Sequence, residues 1–231
     1  MQKLDSRLRT ALKFLREGKT LADIGTDHAY LPIYAVLNGF SARAVASDIN
    51  EGPTERARQN VAAGGLSDKI TVIRADGLCG LEDFNPDDIA IFGMGGELIA
   101  HILESSPWVK TEDRRFILQP MTAADDLRKY LAKNGYSIIE ENLSEQSGKL
   151  YVTICCEFTG KCEDISEAEA LIGKYNIENN KSSPIFEKML ARYIKGLKIR
   201  IEGLQSAGKD ASFEQSILND LEKYEVKNET H

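Results

Sequence analysis

The chain contains 231 residues, of which 42% are hydrophobic and 28% charged, so it has the composition of a folded protein and not of a disordered one. No apolar run approaches the ~20 residues that span a bilayer, and four cysteines without a C-x-x-C pair, with only three histidines, predict neither a disulfide framework nor a metal site. The net charge of −7 argues against nucleic-acid binding over the whole surface but leaves room for one basic face.

The first predicted element is a basic amphipathic helix over Lys3–Lys19. Leucines recur in it at helical spacing, and its six basic residues outnumber two acidic ones. A charged helix of this kind is unlike the apolar leader of a secreted protein. Together with the cysteine pattern, it indicates a reduced, cytoplasmic protein that contacts no membrane.

Five predicted strands follow, and most are separated by a turn and a helix. The strands are apolar runs that end at glycine, aspartate or proline: Thr20–Ile24, Arg43–Ser47, Ile70–Arg74, Asp88–Phe92 and Arg115–Leu118. The predicted helices are Leu31–Asn38, Pro53–Ala63, Glu97–Leu103 and Ala123–Lys133. This alternation predicts a parallel sheet covered by helices.

The next two predicted strands have no helix between them. Tyr136–Leu143 and Lys149–Phe158 are joined by the five residues Ser144–Gly148, and so short a link makes an antiparallel pair. We therefore predict an α/β fold in which a doubly wound, Rossmann-like sheet ends in an antiparallel hairpin at one edge. That architecture is typical of methyltransferases that use S-adenosylmethionine (SAM), and less typical of NAD-binding domains, whose sheet is usually all parallel.

After Phe158 the pattern becomes helical. A capping box at Ser166, Ser183-Pro184 and Ser212-x-x-Gln215 each predict the start of a helix. The long middle helix has a narrow apolar seam: Phe186, Leu190, Tyr193, Leu197, Ile201 and Leu204. The last helix has an apolar face of its own: Phe213, Ile217, Leu221 and Tyr224. We predict two domains, an α/β domain over residues 1–160 and a C-terminal coiled-coil-like helical domain over residues 161–231.

The predicted strand ends carry unusual residues, at the place where doubly wound sheets bind nucleotide cofactors. Gly25 allows a sharp turn after the first strand, but the other glycines of the dinucleotide fingerprint G-x-G-x-x-G are absent. Asp48 follows 23 residues later, where a carboxylate can bind ribose hydroxyls. Asp76-Gly77 is suited to an adenine amino group, and Gly93-Met94-Gly95-Gly96 to close approach by a reactive sulfonium.

Each of these features also has a purely structural interpretation. Gly25 suits any strand-to-helix turn, and Asp48 suits a cap on the helix that Pro53 begins. Asp76-Gly77 suits a simple turn, and Gly93-Met94-Gly95-Gly96 suits a flexible loop. The four strand ends taken in order favour a cofactor site more than any one of them does. The predicted cofactor-binding residues are Asp23, Gly25, Asp48, Ile49, Asn50, Asp76, Gly77, Gly93, Met94 and Gly95.

Several of these motifs resemble one family. The strings that carry the resemblance are Asp23-Ile24-Gly25-Thr26-Asp27-His28-Ala29-Tyr30-Leu31-Pro32, Ser47-Asp48-Ile49-Asn50-x-Gly52-Pro53, Asp76-Gly77-Leu78, Gly93-Met94-Gly95-Gly96 and Gln119-Pro120. They resemble the bacterial tRNA (adenine-22-N1)-methyltransferase family over about Met1–Phe158, and Met121 stands where that family has Asn. The resemblance implies a class I methyltransferase with a C-terminal coiled coil, SAM as cofactor and N1 of adenine 22 in tRNA as acceptor.

On that resemblance, Asp27 is the first candidate for a catalytic residue. Adenine N1 attacks the methyl group with an in-plane lone pair and the ring becomes cationic, so a nearby carboxylate stabilises the charge that develops. His28 and Tyr30 are further candidates, Tyr30 as an aromatic ring beside a base. The structural alternatives are that Asp27 caps the helix containing Pro32 and that Tyr30 belongs to the core.

Two basic segments are candidates for phosphate contacts. The predicted RNA-binding residues are Lys3, Arg7, Lys188, Arg192, Lys195 and Lys198. The alternative for both segments is a solvated helix face. We expect tRNA as the partner, no metal, and a monomer as the working state.

Three other functions remain open on the residues alone. An NAD-dependent oxidoreductase would share the sheet and Asp48. A methyltransferase acting on a small molecule or a protein would use the C-terminal helices for dimerisation. A catalytically inactive RNA-binding module would retain the fold without turnover.

Overall fold

The computed structural model describes residues 6–225, and its α/β part is built on seven strands. These are β1 Thr20–Ile24, β2 Arg43–Asp48, β3 Ile70–Arg74, β4 Asp88–Met94, β5 Arg115–Pro120, β6 Tyr136–Gln146 and β7 Lys149–Phe158. They form one sheet in the order β3-β2-β1-β4-β5-β7-β6. Strands β1 to β5 are parallel, and β7 is antiparallel to both β5 and β6, which confirms the predicted sheet and its hairpin edge.

Helices cover both faces of this sheet. They are α1 Ser6–Leu12, α2 Tyr30–Leu37, α3 Glu51–Ala63, α4 Gly96–Glu104 and α5 Ala124–Lys133, with short 3-10 turns at Glu82–Phe84 and Pro107–Val109. One core contains residues of α1, α2 and α3, and the other contains residues of α4 and α5. Alternate side chains of β4 enter the two cores, Ile89 and Ile91 on one face and Ala90 and Phe92 on the other, because successive strand residues point in opposite directions.

The hairpin between β6 and β7 is tighter than its sequence predicts. The structure has a two-residue turn, and the predicted five-residue link Ser144–Gly148 is wrong. Ser147 and Gly148 both have positive φ, 50° and 74°, which is the backbone of a turn that matches the twist of the paired strands. The pairing therefore continues to Gln146 opposite Lys149.

The N-terminal helix is shorter than the predicted Lys3–Lys19, because α1 ends at Leu12. Asp88 fixes the chain beyond it: its carboxylate accepts hydrogen bonds from the backbone N–H of Arg16 at 2.8 Å and from Arg16 Nε at 2.7 Å. A helix continuing to Lys19 would not bring these groups to the amino end of β4. Lys3 lies outside the described residues.

The chain divides into two compact units, Met1–Glu163 and Asp164–His231. The second unit contains α6 Glu167–Ile172, α7 Lys174–Asn179, α8 Pro184–Ser206 and α9 Ser212–Glu222. The capping box at Ser166 is confirmed, and so is the start of α8, where Ser183 Oγ accepts a hydrogen bond from the Phe186 N–H. None of the helices among residues 6–225 has the length and apolarity needed to cross a membrane.

Two details of the last helices differ from the prediction. Ser212 does not cap α9; Ala211 occupies the cap position, and the Ser212 hydroxyl donates to Asp210 instead. Phe213 is 61% exposed, so it does not belong to the predicted apolar face, although Ile217 and Leu221 do. Along α8, Phe186, Leu190 and Ile201 of the predicted seam are buried.

Candidate active site

The strand order places a crevice between β1 and β4. Strands β2 and β3 lie on one side of this pair and β5, β7 and β6 on the other, so the chain connections diverge there. Ligands of doubly wound sheets bind at such a point, beyond the carboxyl ends of the strands. Here Gly25 follows β1, and its N–H and that of Thr26 both donate to the carbonyl of Ser47 on β2, at 2.8 and 2.9 Å.

The loop from β1 to α2 has a strained backbone. Gly25 has φ 78°, and the buried Ala29 also lies in the left-handed region with φ 55°. Thr26 stabilises this shape, because its Oγ1 accepts a hydrogen bond from the Ala29 N–H at 3.1 Å. Asp27 makes no capping bond to α2, which removes the structural alternative for that residue. Strained backbone of this kind clusters at functional sites.

Asp27 presents its carboxylate at the mouth of the crevice. Its side chain is 63% exposed, and its Oδ1 accepts a hydrogen bond from Arg56 Nη2 at 2.7 Å. Its Oδ2 lies 3.4 Å from Nε2 of His28. Arg56 comes from α3 and was not predicted from the sequence. The carboxylate is thus oriented by a cation and still open to a ligand.

His28 and Tyr30 form a stacked pair beside Asp27. Their ring centroids are 4.9 Å apart and their planes differ by 13°. Asn60 of α3 holds the loop, because its side-chain Nδ2 donates to the His28 carbonyl at 3.0 Å. Both rings are half-buried, so Tyr30 is not a core residue, and the pair presents aromatic surface to the crevice.

Asp23 lies beneath this loop and is 6% exposed. Burial raises its pKa to about 6, although a hydrogen bond from Thr26 acts in the opposite direction. A carboxyl group with such a pKa changes charge close to neutral pH. The desolvated position, and not a neighbouring charge, is the cause.

One cavity of about 750 Å³ brings the three catalytic candidates together with three of the predicted cofactor-binding residues, and we call it the acceptor-side cavity because it contains the catalytic candidates. The predicted site residues that line it are Asp23, Gly25, Asp27, His28, Tyr30, Gly93 and Arg7. The rest of its lining comes mainly from α2 and α3. The predicted nucleoside-binding residues Asp48 and Asp76 lie outside it. The structure therefore separates the candidate catalytic residues from the ends of β2 and β3.

The ends of β2 and β3 have the chemistry of a nucleoside site. Asp48 Oδ1 accepts hydrogen bonds from the backbone N–H and the side-chain Nδ2 of Asn50, at 2.7 and 3.1 Å. It does not cap α3, because Asn50 occupies the cap position without a side-chain bond. The next residue, Ile49, is 51% exposed and offers an apolar surface to a flat ring. Asp76 is exposed at the end of β3, and Gly77 packs against Ile102.

Gly25, which follows β1, and Gly95 and Gly96, which follow β4, pack closely against other atoms of the protein. The Met94 side chain lies so close to Gly25 that a Cβ on Gly25 would collide with its terminal methyl group. A Cβ on Gly96 would collide with the Ala123 carbonyl, and the Gly96 N–H donates to the Thr122 carbonyl at 2.8 Å. Gly95 precedes α4 as its cap residue. The absence of side chains here first serves the packing of α4 against the loop before α5.

The predicted phosphate contacts fall into two groups. Arg7 lines the cavity, and its guanidinium lies 5.7 Å from the ring centroid of Tyr151. On α8, Lys188, Arg192 and Lys195 are exposed. Lys198 is paired with Glu222 of α9 at 2.9 Å, a hydrogen bond that raises the pKa of the lysine. Because Arg200 also pairs with Glu214, α9 neutralises part of the basic stretch.

Comparison with known proteins shows which proteins this chain is similar to. A family model described as a methyltransferase domain matches residues 4–154. The tRNA (adenine(22)-N(1))-methyltransferase of Bacillus subtilis strain 168 is 43% identical over 155 residues, which are 67% of this chain. The match spans 65% of that protein's own length.

Solved structures extend the similarity to nearly the whole chain. The crystal structure of the B. subtilis M1A22 tRNA methyltransferase TrmK is similar with a TM-score of 0.81 and 35% identity, and the alignment covers 96% of each chain. The structure of M. capricolum TrmK in complex with S-adenosyl-homocysteine has a TM-score of 0.82 and 27% identity, covering 96% of this chain and 98% of that one. Both the α/β part and the C-terminal helices therefore have counterparts in solved structures.

Proposed function

We propose that this chain methylates tRNA, and the proposal starts from its family: the chain belongs to the bacterial tRNA (adenine(22)-N(1))-methyltransferase family. The reaction is the transfer of a methyl group from SAM to N1 of adenine 22. The observation that carries the proposal is the crevice between β1 and β4, where Asp27, His28 and Tyr30 line one cavity. The mixed sheet and the methyltransferase-domain match favour this function over an NAD-dependent oxidoreductase.

The ends of β1, β2 and β3 suit SAM. SAM supplies an electrophilic methyl group on a sulfonium. Asp48 would accept hydrogen bonds from the ribose hydroxyls, the exposed Ile49 would cover one face of the cofactor's adenine, and Asp76 would accept from its amino group. Gly25 and Gly93 line the acceptor-side cavity at the ends of adjacent strands, and Met94 and Gly95 continue from β4 toward α4.

Catalysis by this chain is mainly positioning. N1 would take the methyl group from bound SAM, which would be left as the neutral thioether S-adenosyl-homocysteine, and the adenine ring would carry the positive charge. Holding the two reactants in line contributes up to ~7–11 kcal/mol. Asp27, oriented by Arg56, stabilises the cationic ring and accepts a hydrogen bond from its exocyclic amine. His28 and Tyr30 flank the base, which has to leave its stack in the folded tRNA to reach them.

Basic side chains on the two units hold the phosphates. Arg7 acts beside the cavity, and Lys188, Arg192 and Lys195 act from α8. Lys195→Glu is expected to weaken tRNA binding and to reduce the slope of log K against log salt by about 1. Lys198→Glu is the matched control with a smaller effect, because Glu222 already pairs with that lysine. Equal tRNA affinity for Lys195→Glu and the wild type at low salt would exclude this role for α8.

The whole proposal is tested by methyl transfer from labelled SAM to unmodified tRNA. The RNA is digested afterwards and the labelled nucleoside is identified. We expect 1-methyladenosine as the labelled product. If SAM binds but no label enters the RNA, the tRNA assignment is wrong and a small-molecule or protein acceptor takes its place. With tRNA as substrate, the cytoplasm is the place of action and a monomer is the working state.

A further inference from the structure

Helix α2 has an apolar outer face that the other described residues of its unit, 6–163, cover only in part. Its sequence, Y-L-P-I-Y-A-V-L, contains no charged residue. The inner face is buried and consists of Leu31, Pro32, Ala35 and Val36. The outer face is half-buried to exposed and consists of Tyr30, Ile33, Tyr34 and Leu37, with Leu37 45% exposed. A surface helix normally turns a polar face to water, so this face is suited to a ligand.

The outer face of α2 forms one wall of the acceptor-side cavity. All four of its residues line the cavity, together with Asp27 and His28 at the catalytic end. The opposite wall comes from α3, where Asn60 is followed by the small residues Ala63 and Gly64. The volume of about 750 Å³ is that of a drug-sized site, and a purine base fills only part of such a site. Space therefore remains beyond the target adenine.

The lining of this extra space has the chemistry of a nucleotide site. Among residues 6–225, the carboxylates that line the cavity are Asp23 and Asp27, and both lie at the end of β1 and not between the helices. Asn60 is oriented by its bond to the His28 carbonyl, so its Oδ1 faces away from that bond and remains an acceptor for a base amine. Tyr34 stacks on Phe40, with ring centroids 6.4 Å apart, and is held as a platform. Aromatic platforms beside a cation such as Arg7 are how proteins bind unpaired bases.

We propose that the groove between α2 and α3 is a second base-binding subsite, in which Tyr34 stacks on a nucleobase adjacent to the methylated adenine. Tyr34 lies one helical turn, about 6 Å along the axis, beyond Tyr30. While the target adenine lies against the His28–Tyr30 pair, the base of a neighbouring nucleotide that has also left its stack can extend the further distance of about 6 Å to Tyr34. The subsite rests on the proposed function, because its ligand is the same tRNA.

Two pairs of variants test the subsite in the full chain. Tyr34→Ala removes the platform, and Tyr34→Phe is its conservative control. Ala63→Glu places a carboxylate in the groove, and Ala63→Gln adds the same volume without the charge; Ala63 is exposed on α3, so both variants are compatible with folding. Each variant is measured for KM and kcat with tRNA, for SAM affinity, and for oligomeric state by sedimentation.

Loss of base stacking is expected to raise KM for tRNA by about 5- to 150-fold in Tyr34→Ala. Ala63→Glu is expected to raise KM as well, whereas Tyr34→Phe and Ala63→Gln remain near wild type. kcat at saturating tRNA and SAM affinity stay unchanged in all four. In tRNA carrying 2-aminopurine at either neighbour of adenine 22, the wild type is expected to change the emission at one position, and Tyr34→Ala is expected to lose that change.

A failure of the proposed function and a failure of the subsite alone give different results. If the wild type forms no 1-methyladenosine, the proposed function fails and the subsite fails with it. If methylation proceeds and both Tyr34→Ala and Ala63→Glu keep the wild-type KM and 2-aminopurine signal, the function stands and the subsite is wrong. A wild-type dimer that Ala63→Glu dissociates would also overturn the subsite, because the face would then bind a second copy of the chain.

Discussion

The two ends of the sheet use the same residue type in opposite ways. At the amino end, Asp88 is 1% exposed and paired with Arg16 at 2.7 Å, and Asp87 accepts from Lys19 and from the Thr20 N–H. At the carboxyl end, Asp27 is 63% exposed, and Asp48 accepts a hydrogen bond from Asn50, two residues further along the chain. The aspartates at the amino end are held by hydrogen bonds from the protein, whereas Asp27 and Asp48 at the carboxyl end remain accessible to a ligand and Asp23 there is buried.

The pKa directions follow from these surroundings. Burial would raise the pKa of Asp87, but the Thr20 N–H and Lys19 outweigh it and lower the pKa. For Asp88 burial prevails over the bonds from Arg16, and the pKa is raised. The hydrogen-bond and charge partners of an aspartate therefore distinguish a structural role from a candidate ligand-binding role better than its position at a strand end does.

Backbone strain is distributed in the same unequal way. Ala29 and Ala123 precede α2 and α5 at the carboxyl end of the sheet, and both have left-handed backbones with φ of 55° and 52°. Each such residue costs about 1–3 kcal/mol in a protein. The amino end has Asn85 in that region, a residue type that adopts it more readily. The strained alanines therefore lie at the end of the sheet that contains the candidate site.

Disrupting the contact between Asp88 and Arg16 at the amino end of the sheet is expected to have the largest effect on stability. Asp88→Asn replaces one of the two oxygens that accept from Arg16 by an amide N–H2 group and is expected to lower the free energy of unfolding by about 1–3 kcal/mol, because one Arg16 donor then faces another donor. Urea unfolding measures this loss. Methyl transfer per folded molecule should not change. Asp68→Asn, an exposed aspartate before β3, is the control; a loss as small as that of the control would show that the pair does not anchor the N-terminal segment.

Breaking the carboxyl end is expected to affect the reaction and not the fold. Asp27→Asn keeps the size of the side chain but removes its charge, so kcat should fall by about 100- to 1000-fold, as it does when a group that stabilises transition-state charge is removed. SAM affinity and the urea midpoint should remain at wild-type values. Single-turnover kinetics measure the rate. A variant that transfers methyl at close to the wild-type rate would remove Asp27 from the mechanism.

The buried Asp23 at the carboxyl end of the sheet is expected to make the free energy of unfolding depend on pH. Its folded pKa of about 6 exceeds the unfolded value of 3.8, so between these values the folded state holds the proton more tightly. The contribution is fully present below pH 3.8 and is lost as pH rises to about 6, a change of about 3 kcal/mol. The unfolding free energy of Asp23→Asn minus that of the wild type should therefore increase from pH 4 to pH 7. A difference that is constant across this pH range would contradict the raised pKa of Asp23.

Asp48→Asn is expected to have the smallest of these effects. Loss of a charged acceptor for the ribose hydroxyls should weaken SAM binding by about 10- to 100-fold. Calorimetric titration with SAM measures it, with Asp68→Asn again as the control. Unchanged affinity would mean that Asp48 serves only to hold Asn50.

Much of this arrangement could be predicted from the sequence, because it depends on local patterns. The strands from β1 to β5 follow from apolar runs, and Asp27 and Asp48 from the turns after them. Arg56 could not be predicted, since its contact with Asp27 joins residues 29 positions apart in a chain with many arginines. The outer face of α2 had a signal, the absence of any charge in Tyr30–Leu37. Ser212 resembled a cap, but Asp210 competes for its hydroxyl.

The most direct measurement compares two synthetic tRNAs that differ at one atom. One carries adenosine at position 22 and the other carries 1-deazaadenosine, in which a C–H group replaces N1 and the exocyclic amine is unchanged. With labelled SAM, we expect one methyl group per molecule of the adenosine tRNA and none in the 1-deazaadenosine tRNA. Equal labelling of both would contradict it, because the acceptor would then be an atom other than N1 of adenine 22.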